Sequence, residues 1–148
     1  MRNRLFHASE TGFRRFDPDR IGSGAEANSA LGVWLSVEPQ VAWDYARGGA
    51  LMVVETGSLR LATASDRKAM IWGGPDLFET DREIGWVAFD SLRRALLADG
   101  YDGVWCEMPG TDLEGAVCIL DPSRLEIVEV LERPTEDLVD RLEGALEA

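Results

Sequence analysis

The stretch GVWLSVEPQVAWDYA, residues 32–46, predicts a short buried strand, a turn and a helix in succession. Ser36 can accept hydrogen bonds from the first free N–H groups of that helix, and Pro39 is tolerated in its first turn. Apolar side chains then recur at helical spacing. Regular structure therefore fixes Trp34 and Tyr45 relative to each other, either as two core residues or as two flat surfaces of a site.

The length of 148 residues predicts one domain spanning 1–148, with 45% hydrophobic residues to build its core. No run approaches the roughly 18 apolar residues that span a bilayer. The basic N-terminus is not followed by the apolar region of a signal peptide. We therefore expect no membrane partner and a cytoplasmic location.

The net charge of −12, from 27 acidic and 15 basic residues, argues against a nucleic-acid surface, because phosphates would be repelled. The basic residues cluster early in the chain, whereas its C-terminal third is strongly acidic. A locally basic groove on an acidic protein is compatible with a small anionic ligand.

The cysteines and the single histidine argue against a metal site. Cys106 and Cys118 lie in apolar, strand-like runs, and His7 is the only histidine, so no cluster has the spacing of zinc ligands. Two reduced core thiols in a reducing cytosol are the better interpretation.

The chain pattern favours an α+β fold with antiparallel or mixed sheets, because strands outnumber helices and the later strands follow one another by short turns. Besides the stretch above, strands are predicted at 4–8, 50–55, 59–62, 104–107, 116–120 and 125–131. Helices are predicted at 65–72, at 90–99 with Gly100 as its C-terminal cap, and after Thr135, which caps the N-terminus of the last helix. The long loop 9–31 has the length of a functional loop, and Phe13 and Phe16 can pin its near end to the core.

His7 and a group of acids are the candidates for chemistry. His7 lies on the first strand beside the long loop, where a histidine is either structural or catalytic. Glu107, Asp112 and Glu114 surround the turn at 109–110. Such acids are either a solvated turn or the carboxylate that stabilises a cationic transition state.

Taken together, these residues resemble the ADP-ribosyltransferase fold of the histidine–tyrosine–glutamate type, which includes the poly-ADP-ribose polymerases and diphtheria toxin. The first motif of that family, an apolar strand ending in His-Gly-Ser/Thr, is similar to Leu5-Phe6-His7-Ala8-Ser9. The second motif, Gly-hydrophobic-Tyr-Phe followed by a helix ending in Tyr, is similar to Gly32-Val33-Trp34-Leu35 with Tyr45. The closing motif is similar to Tyr101-Asp102-Gly103 and to the strand that ends in Asp121-Pro122-Ser123.

The resemblance implies a fold of two small mixed or antiparallel sheets that form an NAD cleft, flanked by helices. By this resemblance, His7 and Ser9 hold a ribose of NAD, and Tyr45 stacks on the nicotinamide ring. Gly32 and Trp34 belong to the same site, with Trp34 in the place of the motif's tyrosine. Arg20, with its neighbouring arginines, is the candidate partner of the pyrophosphate.

Two further positions depart from the family pattern. Ala8 replaces the usual glycine, and Ala116 occupies the place of the family's glutamate. Glu114 is the first substitute for that glutamate, Glu107 the second and Asp112 the third.

The function implied by the resemblance is mono-ADP-ribosylation of a protein target with release of nicotinamide, as in a bacterial or phage effector or toxin. NAD is the substrate, and no metal is required. An NAD glycohydrolase on the same fold, or a non-catalytic acidic interaction module, is the alternative.

Overall fold

The computed structural model describes residues 3–21, 27–46, 48–63, 82–106 and 115–147. The strands in this part of the chain are β1 (Asn3–Ser9), β2 (Val33–Ser36), β3 (Ala50–Thr56), β4 (Leu61–Ala62), β5 (Gly103–Cys106), β6 (Ala116–Ile119) and β7 (Glu126–Glu132). The α-helices are α1 (Pro39–Asp44), α2 (Arg82–Ala98) and α3 (Glu136–Glu147). Short 3-10 turns lie at Pro18–Arg20, Ala27–Ala30 and Pro122–Arg124. The predicted α+β class is confirmed.

The seven strands are hydrogen-bonded in the order β4-β5-β6-β2-β1-β3-β7, as one sheet. The prediction of two small sheets is therefore wrong. The predicted mixture of parallel and antiparallel pairing is confirmed, since β4 and β5 are parallel whereas β1 and β3 are antiparallel. Periodicity within a strand shows which face is buried, but strand order depends on pairing between distant segments.

The chain divides into two compact units. The first unit is drawn from 1–16, 35–58 and 125–148, and the second from 17–34 and 59–124. Each unit has its own core of buried apolar side chains. That all 148 residues form a single domain stays a prediction.

In the first unit, α1 and α3 pack on one face of the strands. Phe6 of β1, Leu51 and Val53 of β3, Trp43 of α1 and Val139 of α3 form one buried cluster. The N–H of Gln40, in the first turn of α1, donates to Oε1 of Glu143 on α3 at 2.9 Å. The two helices are thereby joined by a hydrogen bond as well as by apolar packing.

In the second unit, α2 packs on the strands through a buried stripe. Phe89, Leu92 and Leu96 recur at i, i+3 and i+7 and contact Val104 of β5 and Leu120 after β6. The predicted helix at 90–99 is confirmed. The helix begins at Arg82, eight residues before the predicted start, because Trp86 continues the same stripe one turn earlier.

Two predicted caps are confirmed. Gly100 has a φ of +83°, and the N–H of Tyr101 donates to the carbonyl oxygen of Leu96, which closes the C-terminus of α2. The N–H of Leu138 donates to Oγ1 of Thr135 at 3.2 Å, which caps the N-terminus of α3.

Ser36 acts differently from the prediction. Its Oγ accepts a hydrogen bond from the N–H of Glu38, the N-cap residue, at 3.1 Å. It therefore stabilises the turn that precedes α1, while Glu143 binds the first helical N–H group.

The predicted helix at 65–72 lies outside the described residues. Among the residues that are described, no helix is long and apolar enough to cross a membrane.

Candidate functional site

His7 and Ser9 share one face of β1 in the first unit. In the antiparallel pair with β3, His7 is opposite Met52 and Ser9 is opposite Ala50. Side chains alternate along a strand, so both point away from the face of Phe6, on which α1 and α3 pack. Both are half-buried. An imidazole and a hydroxyl two residues apart can hydrogen-bond to one polyhydroxyl ligand.

Two phenylalanine rings from the following loop pack against His7. The ring centroids of His7 and Phe16 are 5.3 Å apart at an interplanar angle of 77°, and those of His7 and Phe13 are 5.9 Å apart at 58°. The two phenylalanine rings are 5.1 Å from each other. Phe16 is 8% exposed, so the expectation that these residues pin the near end of the loop is confirmed.

Tyr45 lies at the C-terminus of α1 and is 61% exposed. The chain then turns through Gly49, whose N–H donates to the carbonyl oxygen of Ala46 at 2.9 Å, and enters β3 opposite Ser9. A side chain at Gly49 would collide with the carbonyl oxygen of Ser9. The end of α1 that carries Tyr45 and the end of β1 that carries Ser9 therefore meet at one tight turn.

Trp34 and Gly32 belong to the second unit. Trp34 is half-buried and packs against its apolar core, as the core interpretation of this aromatic expects. At Gly32, an added Cβ would collide with the carbonyl oxygen of Ile119 and would lie 3.1 Å from the Sγ atom of Cys118. This close approach explains the glycine by packing, which a motif reading of the sequence misses.

Arg20 ends the 3-10 turn at Pro18–Arg20 and is exposed. The turn is stabilised by Asp17, whose Oδ1 accepts a hydrogen bond from the N–H of Asp19 at 2.9 Å. An exposed guanidinium at a stabilised turn can pair with a phosphate in two parallel hydrogen bonds.

The candidate acids Glu107, Asp112 and Glu114 lie outside the described residues. Ala116, which the predicted resemblance aligns with a glutamate, is 6% exposed and belongs to the core cluster of the second unit. A carboxylate there would be desolvated among apolar side chains, which gives a physical reason for the alanine.

The two motif turns of the second unit contact each other through Asp102, a role that sequence reasoning missed. Oδ2 of Asp102 accepts a hydrogen bond from the N–H of Arg60 at 2.7 Å, and Oδ1 pairs with Nη2 of Arg124 at 3.1 Å. The carbonyl oxygen of Asp102 accepts from the N–H of Leu120 at 3.0 Å, just before the Asp121-Pro122-Ser123 turn. Arg60 also lies 4.3 Å above the ring of Tyr101. The sequence shows the Asp-Gly turn, but no local pattern in it indicates that Arg60 and Arg124 are the partners of Asp102.

In the described part of the chain, no group of three or more histidine, cysteine or acidic residues has the geometry of metal ligands. Cys118 is buried in the core of the second unit, as predicted, and the side chain of Cys106 is outside the described set.

Comparisons of the chain with family models, with curated proteins and with solved structures found no match.

Proposed function

We propose that this chain is an NAD-dependent mono-ADP-ribosyltransferase that modifies a protein target and releases nicotinamide. The observation that carries the proposal is the meeting of two motif elements in the first unit. The strand with His7 and Ser9 ends at the same turn as the helix with Tyr45. The end of β1 at Ser9 and the end of α1 at the exposed Tyr45 thereby lie at one end of the unit, and the side chains of His7 and Ser9 point to the face opposite α1.

The proposed roles follow from the chemistry of each group. His7 and Ser9 hydrogen-bond to ribose hydroxyls, and the exposed ring of Tyr45 stacks on nicotinamide. The family resemblance assigns roles in NAD binding to Trp34, Gly32 and Arg20 as well. At Gly32 and Trp34, these roles would coexist with core packing.

The proposed reaction breaks one bond and forms one bond. The bond between the ribose C1′ atom and the nicotinamide nitrogen breaks, and its electron pair leaves with nicotinamide. The resulting oxocarbenium-like state is stabilised by a carboxylate, for which Glu114 is the first candidate and Glu107 the second. A nucleophile of the target bonds to C1′ and loses its proton. The reaction uses NAD as a substrate and needs no metal.

The test is incubation with NAD labelled in its adenine, with and without a cell lysate, while free nicotinamide is measured. We expect nicotinamide release that depends on lysate and leaves the label on a protein. The variant His7→Ala should reduce release by about 100-fold, as should Glu114→Ala if this acid is catalytic. Arg4→Ala, on the same strand, and Glu126→Ala, on β7, are the matched controls and should keep the wild-type rate.

Three other results would change the assignment. Release in buffer alone would favour a glycohydrolase that uses water as the acceptor. Full activity of Glu114→Ala with loss in Glu107→Ala would assign the acid to Glu107. No release, together with no NAD binding by calorimetry, would overturn the enzymatic proposal.

A non-catalytic acidic interaction module is the second candidate, and one observation favours it. Residues 126–147 contain eight acidic and two basic residues. Several of these acids are exposed on β7 and α3, namely Glu126, Glu129, Glu132, Glu136, Asp137 and Asp140. A module of this kind would bind a basic partner equally well with His7→Ala, so the same variant separates the two candidates.

A further inference from the structure

Three rings, those of His7, Phe13 and Phe16, pack together in the first unit. We propose that Phe13 and Phe16 are positioning residues that fix the orientation of the His7 imidazole before NAD binds. This proposal rests on the proposed function, because it assigns His7 to ribose binding. It names two residues outside the motifs from which that function was inferred.

All three pairs of rings are in contact. Their centroids are 5.3, 5.9 and 5.1 Å apart, and their interplanar angles are 77°, 58° and 78°. These are the tilted and edge-to-face arrangements that aromatic rings prefer. Because each ring contacts both others, rotation of the imidazole away from its position would lose two ring contacts at once.

The loop that supplies these rings is itself held against the strands. Phe16 is buried. At Gly12, an added Cβ would lie 2.5 Å from Oε1 of Glu132 and 2.7 Å from Cγ1 of Val130, so the loop backbone approaches β7 closely. The loop is therefore fixed at Gly12 on β7 and at Phe13 and Phe16 on His7. Rings on a fixed segment can orient a neighbour, whereas rings on a freely moving segment cannot.

Phenylalanine suits this role because its ring carries no hydrogen-bonding group. It can restrict the imidazole plane without competing for Nδ1 or Nε2, the atoms that a ribose hydroxyl would use. A hydrogen bond from a ring nitrogen requires the correct ring plane as well as the correct distance. Orientation in advance of binding lowers the ordering cost that the ligand must overcome.

The single histidine makes a direct test possible. The imidazole protons of His7 are the only histidine signals of the chain, and their chemical shifts report the ring currents of nearby phenylalanines. The variants are Phe13→Leu and Phe16→Leu, which keep an apolar side chain and remove the ring. Phe13→Tyr restores a ring at this half-buried position. Phe89→Leu, in the core of the second unit, is the control for the loss of a buried ring.

We expect Phe13→Leu to move the His7 signals towards those of a solvated histidine and to weaken NAD binding by about tenfold. Phe13→Tyr should restore both, whereas Phe89→Leu should change neither. The effect should appear in the Kd for NAD, or in KM, more than in kcat, because Phe13 and Phe16 act before the chemical step. Circular dichroism identifies any variant that fails to fold. Because Phe13 is only half-buried, Phe13→Leu should remain folded and can be tested even if Phe16→Leu unfolds.

Two outcomes would overturn the proposal, and they differ from each other. If the wild type binds and cleaves NAD but Phe13→Leu and Phe16→Leu match Phe89→Leu in affinity and in His7 signals, only the positioning role fails. If the wild type neither binds nor cleaves NAD, the proposed function fails, and the positioning role fails with it.

Discussion

Arg60 and Asp102 are joined by a reciprocal pair of hydrogen bonds within the second unit. The N–H of Arg60 donates to Oδ2 of Asp102 at 2.7 Å, and the N–H of Asp102 donates to the carbonyl oxygen of Arg60 at 2.8 Å. The Nη1 atom of Arg60 also donates to the carbonyl oxygen of Asp99 at 2.7 Å. The segment before β4 is thereby fixed to the turn between α2 and β5.

Removal of the Asp102 carboxylate should destabilise the protein. Asp102→Ala leaves the N–H of Arg60 without its carboxylate partner and breaks the ion pair with Arg124, so we expect a loss of about 2 kcal/mol in the free energy of unfolding. Asp102→Asn should cost less, because its amide oxygen can still accept the hydrogen bond. Urea denaturation followed by tryptophan fluorescence measures both.

The control for Asp102 is Asp90→Ala in the same unit. Asp90 pairs with the exposed Arg94 at 3.1 Å one helical turn away, a contact that should be worth only about 0.3–0.5 kcal/mol. Equal losses for Asp102→Ala and Asp90→Ala would show that the reciprocal hydrogen bonds do not contribute.

Two glycine-to-alanine changes should have opposite effects. In Gly32→Ala, the new methyl group meets the backbone carbonyl of Ile119, which cannot move without disturbing β6, so we expect a loss of about 2–3 kcal/mol. In Gly144→Ala, the new methyl group meets no atom within 4 Å and the helix propensity of α3 improves, so we expect a gain of about 0.5–1 kcal/mol. Urea midpoints that change in the same direction would contradict this account.

The hydrogen bond between α1 and α3 should contribute measurably to stability. Glu143→Ala removes the carboxylate that accepts from the N–H of Gln40, and we expect it to cost about 1.5 kcal/mol. Glu143→Gln keeps an acceptor oxygen and should cost about half as much. The exposed Asp140→Ala, on the same helix, changes the charge equally and should lie within about 0.5 kcal/mol of wild type. In thermal unfolding, the loss of stability should be largest for Glu143→Ala, smaller for Glu143→Gln and smallest for Asp140→Ala.

The acidic side chains of β7 should keep this edge strand from pairing with other molecules. Among the described strands, β7 pairs only with β3 and ends the sheet order. Its register shifts between Val53 and Val54 of β3, so that Val128 is left without a partner and is 40% exposed. Charges and bulges are the features by which natural edge strands avoid association.

The double variant Glu126→Thr and Glu129→Thr should therefore self-associate at concentrations at which the wild type does not. Light scattering after size-exclusion chromatography measures the change. Glu136→Thr with Asp137→Thr removes the same charge from α3 and should keep the wild-type mass. Association of both double variants would assign the effect to net charge rather than to the strand edge.

Local patterns in the sequence predicted several elements correctly. The strand and helix at 32–46, the cap at Gly100, the cap at Thr135 and the last strand were all predicted from spacing and residue type. Each depends on interactions within a few residues, for which propensity and capping rules are sufficient. The packing of Phe13 and Phe16 near the end of β1 was also within reach, because these residues follow that strand closely.

By itself, then, the sequence determined the α+β class, the main periodic elements and the acidic net charge. Only the tertiary structure decided the order of the strands, the packing role of Gly32 and the hydrogen bonds between Asp102 and Arg60. It also decided that the end of β1 at Ser9 and the end of α1 at Tyr45 meet near Gly49. The physical reason is the separation along the chain. Arg60 and Asp102 are 42 residues apart, and Gln40 and Glu143 are 103 residues apart. Contacts over such distances follow from how whole elements pack, and no local spacing encodes them.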